Sequence, residues 1–292
     1  MISQFATAQT EGFLSNEGSV IHYRTYGKGD PLLIINGGPG MNSNGFAALA
    51  DSLSSDRMVI LYDQRGTGQS TLPEISIKTI SMKNMLNDIE VLRKALHINQ
   101  WTILGHSFGG MLASYYASIY PERVNALILS SSGGIDLELL QYVNRNIQQR
   151  LSAKDRQSLE YWNNKIAEGD TSHAARLQRG MALAPAYLYH SQFIPQVAER
   201  LTQGNTLINN LLWDDMRTIH FNCADSLASF NKPVLIIQGK QDIIEEKTAR
   251  KAQSNFKKSQ VVILDKCGHY GWLDSPTLYF KSIRTFLSNI KN

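Results

Sequence analysis

A serine lies in a short glycine-rich sequence whose spacing is typical of nucleophilic catalysis. Residues 105–109 read Gly-His-Ser-Phe-Gly and match G-x-S-x-G. In a nucleophile elbow the serine has strained backbone angles between a strand and a helix, so its neighbours must be small. Gly105, Gly109 and Gly110 meet that requirement. We predict that Ser107 is the nucleophile; a glycine-rich turn with an incidental serine is the alternative.

A serine hydroxyl needs a base within reach, and the base needs a group that orients it. In chains with this elbow, the acid and then the histidine follow the serine. Asp242 comes after an apolar run at residues 234–237, and His269 comes after another at residues 261–264. Both follow the carboxyl end of a predicted strand, where open α/β sheets bind their ligands. We predict Asp242 as the acid and His269 as the base. Asp265 is the rival acid, but it ends its strand and is less suited to reach the imidazole.

The other histidines fit the role of base less well. His106 adjoins the predicted nucleophile and is expected to point away from it. The rest lie in a predicted hairpin, at a helix end or in the central helical segment. These are His22, His97, His173, His190 and His220.

Two backbone donors would bind the negative charge that develops on an attacked carbonyl oxygen. The N–H of Phe108, directly after the predicted nucleophile, is one of them. The other should come from a loop after an early strand. Residues 36–40 occupy that place and read Asn-Gly-Gly-Pro-Gly. Because glycines let the main chain approach a substrate closely, we predict Gly38 as the second donor. A simple turn is the alternative, and the loop lacks the Gly-Lys-Ser/Thr ending of a phosphate-binding loop.

Apolar runs alternate with helical periodicities and would position these residues. A hairpin is predicted over residues 12–26. Helices are predicted at residues 82–96, 108–119 and 277–290. Short continuous apolar runs, typical of strands buried on both faces of a parallel sheet, occur at residues 31–36, 58–62, 101–104, 124–129, 234–237 and 261–264. This order predicts an α/β fold with a mostly parallel sheet flanked by helices.

The alternation is interrupted at residues 134–222, which contain no strand-like run and read as several helices. Because a connection between parallel strands normally needs only one helix, we predict an inserted helical lid there. Residues 1–133 and 223–292 would then form the core. An ordinary run of crossover helices is the alternative. A few of the lid's aromatic side chains are expected to form an apolar wall facing Ser107.

Composition narrows the class of protein. The chain has 292 residues, 42% hydrophobic and 18% charged, which excludes a disordered chain. Its net charge is +4 with no basic run, so we expect neither a nucleic-acid nor a membrane partner. Cys223 and Cys267 form neither a disulfide framework nor a CxxC metal pattern. Residues 1–7 lack the features of a signal peptide, and a cytoplasmic protein is expected.

Three blocks together resemble a known family. Residues 36–40, 63–70 (Asp-Gln-Arg-Gly-Thr-Gly-Gln-Ser) and 105–110 stand in the order and spacing of the proline iminopeptidases. These are α/β-hydrolase aminopeptidases of the prolyl oligopeptidase clan. The resemblance covers residues 12–133 and 223–292 and does not extend clearly into the lid. It implies an α/β-hydrolase fold and cleavage of an N-terminal residue, often proline, from a short peptide or amide.

Two positions depart from the family's pattern. Asn36 begins the first loop where the family usually has a histidine, and Ile243 occupies a position where some members hold the substrate's ammonium with a carboxylate. Arg65, in the second block, is expected to hold its own loop through hydrogen bonds. An acid of the lid would have to replace the missing carboxylate, and no candidate is favoured among Glu138, Glu160, Glu168, Asp214 and Asp215.

These residues predict a serine hydrolase that forms an acyl-enzyme and needs no metal or cofactor. The resemblance favours an aminopeptidase acting on a small molecule or short peptide. A carboxylic ester hydrolase on small acyl substrates is the alternative with the same chemistry. A receptor-like α/β-hydrolase that captures a small molecule under its lid is the alternative from another class, although binding alone does not need a complete triad.

Overall fold

The computed structural model describes residues 10–290. The expectation about a signal peptide concerns residues 1–7 and therefore lies outside the described residues. Within residues 10–290, no helix combines the length and the apolar character needed to cross a bilayer. The strands are β1 (Thr10–Asn16), β2 (Ser19–Tyr26), β3 (Asp30–Ile35), β4 (Arg57–Tyr62), β5 (Trp101–His106), β6 (Val124–Ser130), β7 (Val234–Gly239) and β8 (Ser259–Leu264).

The strands form one eight-stranded sheet in the order β1-β2-β4-β3-β5-β6-β7-β8. β1 and β2 form the predicted hairpin, and β2 also pairs antiparallel with β4. All later pairings are parallel, so the carboxyl ends of β3 and of β5 to β8 lie at one edge. The predicted α/β fold is confirmed, and each predicted strand is present within two residues at either end.

Helices cover both faces of the sheet. Those outside the predicted lid are α1 (Ala47–Leu53), α2 (Met82–Ala95), α3 (Phe108–Ile119), α9 (Ala224–Leu227), α10 (Glu246–Asn255), α11 (Gly271–Asp274) and α12 (Pro276–Ser288). Successive side chains of a strand point to opposite faces. On β3, Leu33 and Ile35 therefore pack with residues of α2 and α3, whereas Leu32 and Ile34 pack with residues of α1 and α12. Burial on both faces explains the continuous apolar runs of the sequence.

Between β6 and α9, the chain forms five α-helices that are joined by turns and short 3₁₀ helices. It contains α4 (Val143–Arg150), α5 (Ala153–Ala167), α6 (His173–Leu183), α7 (Ile194–Leu201) and α8 (Thr206–Thr218), and no strand lies within residues 134–222. Its two ends meet, because Asp136 and Asn222 form an isolated β-bridge and the N–H of Cys223 donates to the Ile135 carbonyl at 2.8 Å. The segment thus leaves and rejoins the core at one place. Its division from the core as a lid stays a prediction.

Candidate active site

Ser107 lies at a sharp turn between β5 and α3. Its φ of 57° and ψ of −121° place a non-glycine residue in the left-handed region, and such strain is typical of a nucleophile elbow. The turn has no room for larger neighbours. A Cβ on Gly109 would lie 2.1 Å from the Ile35 carbonyl oxygen, and one on Gly105 would lie 2.3 Å from the Gly109 carbonyl oxygen. Ser107 is partly exposed, while residues 105, 106 and 108–110 are buried.

The predicted acid and base lie side by side at the carboxyl ends of β7 and β8. His269 Nδ1 and Asp242 Oδ1 are 2.8 Å apart, and the Asp242 side chain is 0% exposed. The Ile244 N–H donates to Oδ1 at 3.1 Å, and Gln238 Nε2 donates to Oδ2 at 2.9 Å. These bonds fix the carboxylate, so it can orient the imidazole and stabilise its charged form. The rival acid, Asp265, is exposed and pairs with Lys240 at 3.6 Å.

The end of β5 and the loop of His269 are in contact through the side chain of His106. The ring centroids of His106 and His269 lie 4.7 Å apart. His106 also contacts the rings of Phe46 and Trp272. Burial lowers the pKa of His106 well below its usual value, and the charges of His269 and Arg200 act in the same direction. His106 is therefore neutral at neutral pH. That His106 points away from Ser107 stays a prediction, and its ring packs against the imidazole of His269.

The glycine loop after β3 passes directly beside Ser107. A Cβ on Gly37 would lie 2.7 Å from the Ser107 Cβ, which only glycine avoids. Gly38 has a φ of +73°, and its carbonyl accepts from the Met41 N–H at 2.9 Å. Asn36, where the resembling family usually has histidine, donates from Nδ2 to the carbonyls of Gly37 and Met41. None of the hydrogen bonds found among residues 10–290 uses the Gly38 N–H, and its role as an oxyanion donor stays a prediction.

The segment between β6 and β7 reaches the same edge of the sheet. The main-chain N–H of His269 donates to the Tyr187 carbonyl at 2.7 Å, and the two rings lie 5.5 Å apart. Arg150 supports this stretch, because its guanidinium donates to the carbonyls on either side of Tyr187. The Trp213 ring lies 6.2 Å from that of Phe108. Tyr187 thus contacts the predicted base itself, and Trp213 contacts the residue that follows the predicted nucleophile.

The acids proposed to hold a substrate ammonium have other surroundings. Glu138 pairs with Lys247 and Lys251. Asp215 accepts from the Met82 N–H at 2.7 Å, at the start of α2. Glu160 is exposed, and the remaining two form surface pairs in their own segments, Glu168 with Lys165 and Asp214 with Arg217. Ile243 is buried beside Asp242. The structure therefore singles out none of these acids as the partner of an amine.

Arg65, in the second block of the resemblance, forms hydrogen bonds outside its own loop. Arg65 donates to both carboxylate oxygens of Asp88 and to the Thr79 carbonyl, so it holds its loop against α2 and does not point to Ser107. Among the residues described, no group of three or more His, Cys, Asp or Glu side chains could hold a metal ion.

Comparison with known proteins identifies the same family of folds. The profile of the alpha/beta hydrolase fold matches residues 30–276. A proline iminopeptidase of Lactobacillus helveticus is 26% identical over 300 residues, covering 95% of this chain and 97% of that protein. This similarity over nearly the whole length confirms the resemblance read from the three blocks.

Solved structures give the same fold. The crystal structure of VinJ superposes with a TM-score of 0.78 at 18% identity and covers 97% of this chain and 99% of that one. Proline iminopeptidase from Mycobacterium smegmatis superposes with a TM-score of 0.72 at 22% identity, covering 96% of this chain and 98% of that one. At these identities, the structural likeness concerns the fold alone.

Proposed function

The chain belongs to the α/β-hydrolase fold family, and we propose that it is a serine hydrolase that works through a covalent acyl-enzyme. The observation that carries the proposal is the 2.8 Å contact between His269 Nδ1 and the buried Asp242 carboxylate, at the sheet edge where Ser107 occupies a strained elbow. Acyl transfer requires a nucleophile, a base and an acid that orients the base, and the His269–Asp242 pair together with the elbow at Ser107 supports these roles.

In the proposed reaction, Ser107 Oγ attacks the carbonyl carbon of the substrate while His269 Nε2 takes the hydroxyl proton. Asp242 holds the imidazole and stabilises its positive charge. The N–H groups of Gly38 and Phe108 bind the oxygen that becomes negative. The tetrahedral intermediate collapses, the leaving group departs with the proton from His269, and the acyl group remains on Ser107. Water then loses a proton to His269 and attacks the ester carbon. His269 returns that proton to Ser107 Oγ as the acid departs, which restores the enzyme.

For the substrate, we propose a short peptide or small amide with a free N-terminus, with the protein acting as an aminopeptidase. The support is the similarity, over 95% of the chain, to a protein named proline iminopeptidase. Such a substrate carries an ammonium whose burial is unfavourable without a counter-charge. The proposal therefore requires an acid to face Ser107 when substrate is bound.

A carboxylic ester hydrolase is the second candidate, and the positions of the acids favour it. Each acid proposed as the partner of an amine is exposed, paired with a cation or bonded to a main-chain N–H. A small neutral ester needs no such partner. Both candidates use the same triad, so they differ in the acyl group that the pocket accepts and in the leaving group, which is an amine in one case and an alcohol in the other.

One set of substrates separates the two candidates. A free-amine prolyl or alanyl arylamide, its N-acetylated form and a short-chain aryl ester are compared on one preparation, with Ser107→Ala as the blank. An aminopeptidase should lose about 10²-fold or more of kcat/KM when the amine is capped, the scale of a lost charge-assisted contact. Equal rates on both amides, or cleavage of the ester alone, would reject the aminopeptidase and favour the ester hydrolase.

A further inference from the structure

The loop predicted to bind the oxyanion is held by hydrogen bonds from the lid. Arg200, at the end of α7, donates from Nη2 to the Gly37 carbonyl at 2.8 Å. Asn209, on α8, donates from Nδ2 to the Pro39 carbonyl at 3.1 Å. Between these two helices, the main-chain N–H of Asn205 donates to the Gly40 carbonyl at 2.9 Å. Three carbonyl groups of the loop therefore accept hydrogen bonds from residues of the predicted lid.

The bond from Arg200 bears most directly on the predicted donor. The carbonyl of Gly37 and the N–H of Gly38 belong to one planar trans peptide, so they point in opposite directions. A group that fixes the carbonyl therefore also fixes the direction of the N–H. Because both residues are glycines, this peptide is free to rotate unless something holds it. Asn36 Nδ2 donates to the same carbonyl at 3.1 Å, so Arg200 supplies the shorter and the charged one of its two bonds. A positive charge on the carbonyl also polarises the peptide and strengthens the N–H as a donor.

The Arg200 guanidinium is buried and is surrounded by main-chain carbonyls and an aromatic ring. The residue is 5% exposed. Its guanidinium lies 4.7 Å from the centre of the Phe46 ring and also donates to the Asn42 carbonyl at 3.3 Å. No carboxylate forms an ion pair with it in the part of the chain that the structure describes. A buried charge without a counter-ion is unfavourable unless polar groups surround it, and here those groups are the carbonyls of the loop.

Arg200 also lies near the loop of the predicted base. Burial lowers the pKa of the Arg200 guanidinium, and its electrostatic interaction with the Tyr270 side chain opposes that shift. Tyr270 directly follows His269 in the chain, and its ring lies 5.6 Å from that of His269. One side chain of the predicted lid therefore bonds to the glycine loop and lies near the histidine loop.

We propose that Arg200 is a positioning residue of the oxyanion hole, which sets the direction of the Gly38 N–H through the Gly37 carbonyl. The inference rests on the proposed function, because it presumes that this N–H binds the oxygen of a tetrahedral intermediate. Arg200 itself touches no reacting atom. Its loss should weaken binding of the transition state and leave binding of the uncharged ground state largely unchanged.

The test uses a fluorophosphonate, which reacts with an activated serine and forms a tetrahedral adduct whose oxygen occupies the oxyanion hole. Progress curves give the maximal rate of inactivation, kinact, and the half-saturating concentration, KI. For Arg200→Met, we expect kinact to fall about 10²-fold with little change in KI, the scale of one lost oxyanion donor. For Arg200→Lys, we expect a loss of about tenfold, because an ammonium can bond to the Gly37 carbonyl but cannot also hold the Asn42 carbonyl in the fixed fork of the planar guanidinium.

Arg93→Met is the matched control. Arg93 is also 5% exposed and donates to a main-chain carbonyl, that of Ile98 at 2.6 Å, but it lies at the end of α2, before β5 begins. Its replacement should lower the unfolding temperature and leave kinact within about twofold of wild type, since no contact links it to the site. All rates are measured well below the unfolding midpoint of each variant, so that loss of stability and loss of reactivity are separated.

The outcomes separate this inference from the proposed function. If wild type is labelled at Ser107 and folded Arg200→Met or Arg200→Lys reacts with the wild-type kinact, the inference is wrong and the serine hydrolase stands. If Arg93→Met loses as much kinact as Arg200→Met, the effect of Arg200 is general destabilisation and the inference is again wrong. If wild type is not labelled at Ser107, the proposed function fails and the inference fails with it. Should Arg200→Met not fold, Arg200→Lys decides alone.

Discussion

The ends of the parallel strands and the lid contribute to the candidate site in different ways. The strand ends carry the side chains that are predicted to react, namely Ser107 after β5, Asp242 after β7 and His269 after β8. The lid contributes mainly contacts to the main chain of those loops, such as the Tyr187 carbonyl that accepts from the His269 N–H. The groups predicted to react and the groups that hold them therefore come from different regions. The order of the parallel strands places the first group, and the packing of helices places the second.

The largest effect is expected at the strand end that carries the nucleophile. Ser107→Ala should lower kcat/KM by about 10⁴-fold or more, because the members of a triad act as a unit. Ser118→Ala is the matched control, since Ser118 lies near the end of α3, the helix that follows Ser107, and its hydroxyl donates to the Tyr115 carbonyl. It should keep wild-type activity. If Ser107→Ala retained even a tenth of the wild-type rate, Ser107 would not be the nucleophile.

The next largest effect distinguishes the two acids near the histidine. Asp242→Asn should lower kcat by about 10³-fold or more, because an amide favours the wrong tautomer of the imidazole and does not stabilise its charge. Asp265→Asn should have no measurable effect, since that carboxylate is exposed and pairs with Lys240. Steady-state kinetics of both variants on one substrate check this. Similar losses in the two variants would contradict the assignment of Asp242.

Two glycine substitutions, one at a strand end and one in the predicted lid, should lower the free energy of unfolding by different amounts. Gly109→Ala should lower the free energy of unfolding by about 3 kcal/mol or more, because its Cβ would lie 2.1 Å from a rigid carbonyl. Gly169, in a lid turn, has a φ of +106° but nothing within 4 Å of a Cβ. Gly169→Ala should therefore lower it by only about 1 kcal/mol, the cost of the unfavourable φ. Urea unfolding compares the two, and equal losses would contradict the tight packing of the elbow.

The smallest expected effect is on the pH dependence of the free energy of unfolding, and it is tested at Asp63 and Asp170. Burial raises the pKa of Asp63, but hydrogen bonds from Gln69, Ser43 and His22 outweigh it and hold the pKa below its usual value. Because the unfolded chain then binds the proton more readily, this carboxylate stabilises the fold above about pH 4, and that stabilisation is lost as pH falls through its folded pKa. Asp63→Asn should therefore flatten the fall in the free energy of unfolding at acid pH.

The lid offers the control for this measurement. Hydrogen bonds from Ser172 lower the pKa of Asp170, but this carboxylate is fully exposed. Asp170→Asn should leave the acid side of the stability curve unchanged, because hydrogen bonds in water contribute little to stability. Urea unfolding of both variants between pH 3 and 7 tests the pair. A curve for Asp63→Asn as steep as that of wild type would contradict the role of Asp63.

Much of the fold could be predicted from the sequence because strands buried on both faces are apolar without interruption. β3 and β5 are examples, and the elbow follows from glycines that leave no room for a Cβ. Once the strands are assigned in parallel order, residues that follow their carboxyl ends must share one edge. The adjacency of Asp242 and His269 follows from this rule and from no property of the two residues alone.

The contacts of the lid could not be predicted in the same way. The bond from Arg200 to the Gly37 carbonyl depends on how α7 packs, and helix packing follows side-chain shapes that no period of the sequence encodes. Arginine on an amphipathic helix usually lies in water, so its burial here gives no sequence signal. The contact of His106 with His269 is similar, because it depends on how β5 ends against the histidine loop.

The central claim is that the strand ends form a working serine triad, and the site of covalent labelling tests it most directly. Wild type and Ser107→Ala are treated with a fluorophosphonate and compared by intact mass and peptide mapping. The account predicts a single label on the peptide that contains Ser107 and no label on folded Ser107→Ala. A folded wild-type protein that stays unlabelled, or a label on another residue, would contradict it and favour a ligand-binding α/β-hydrolase.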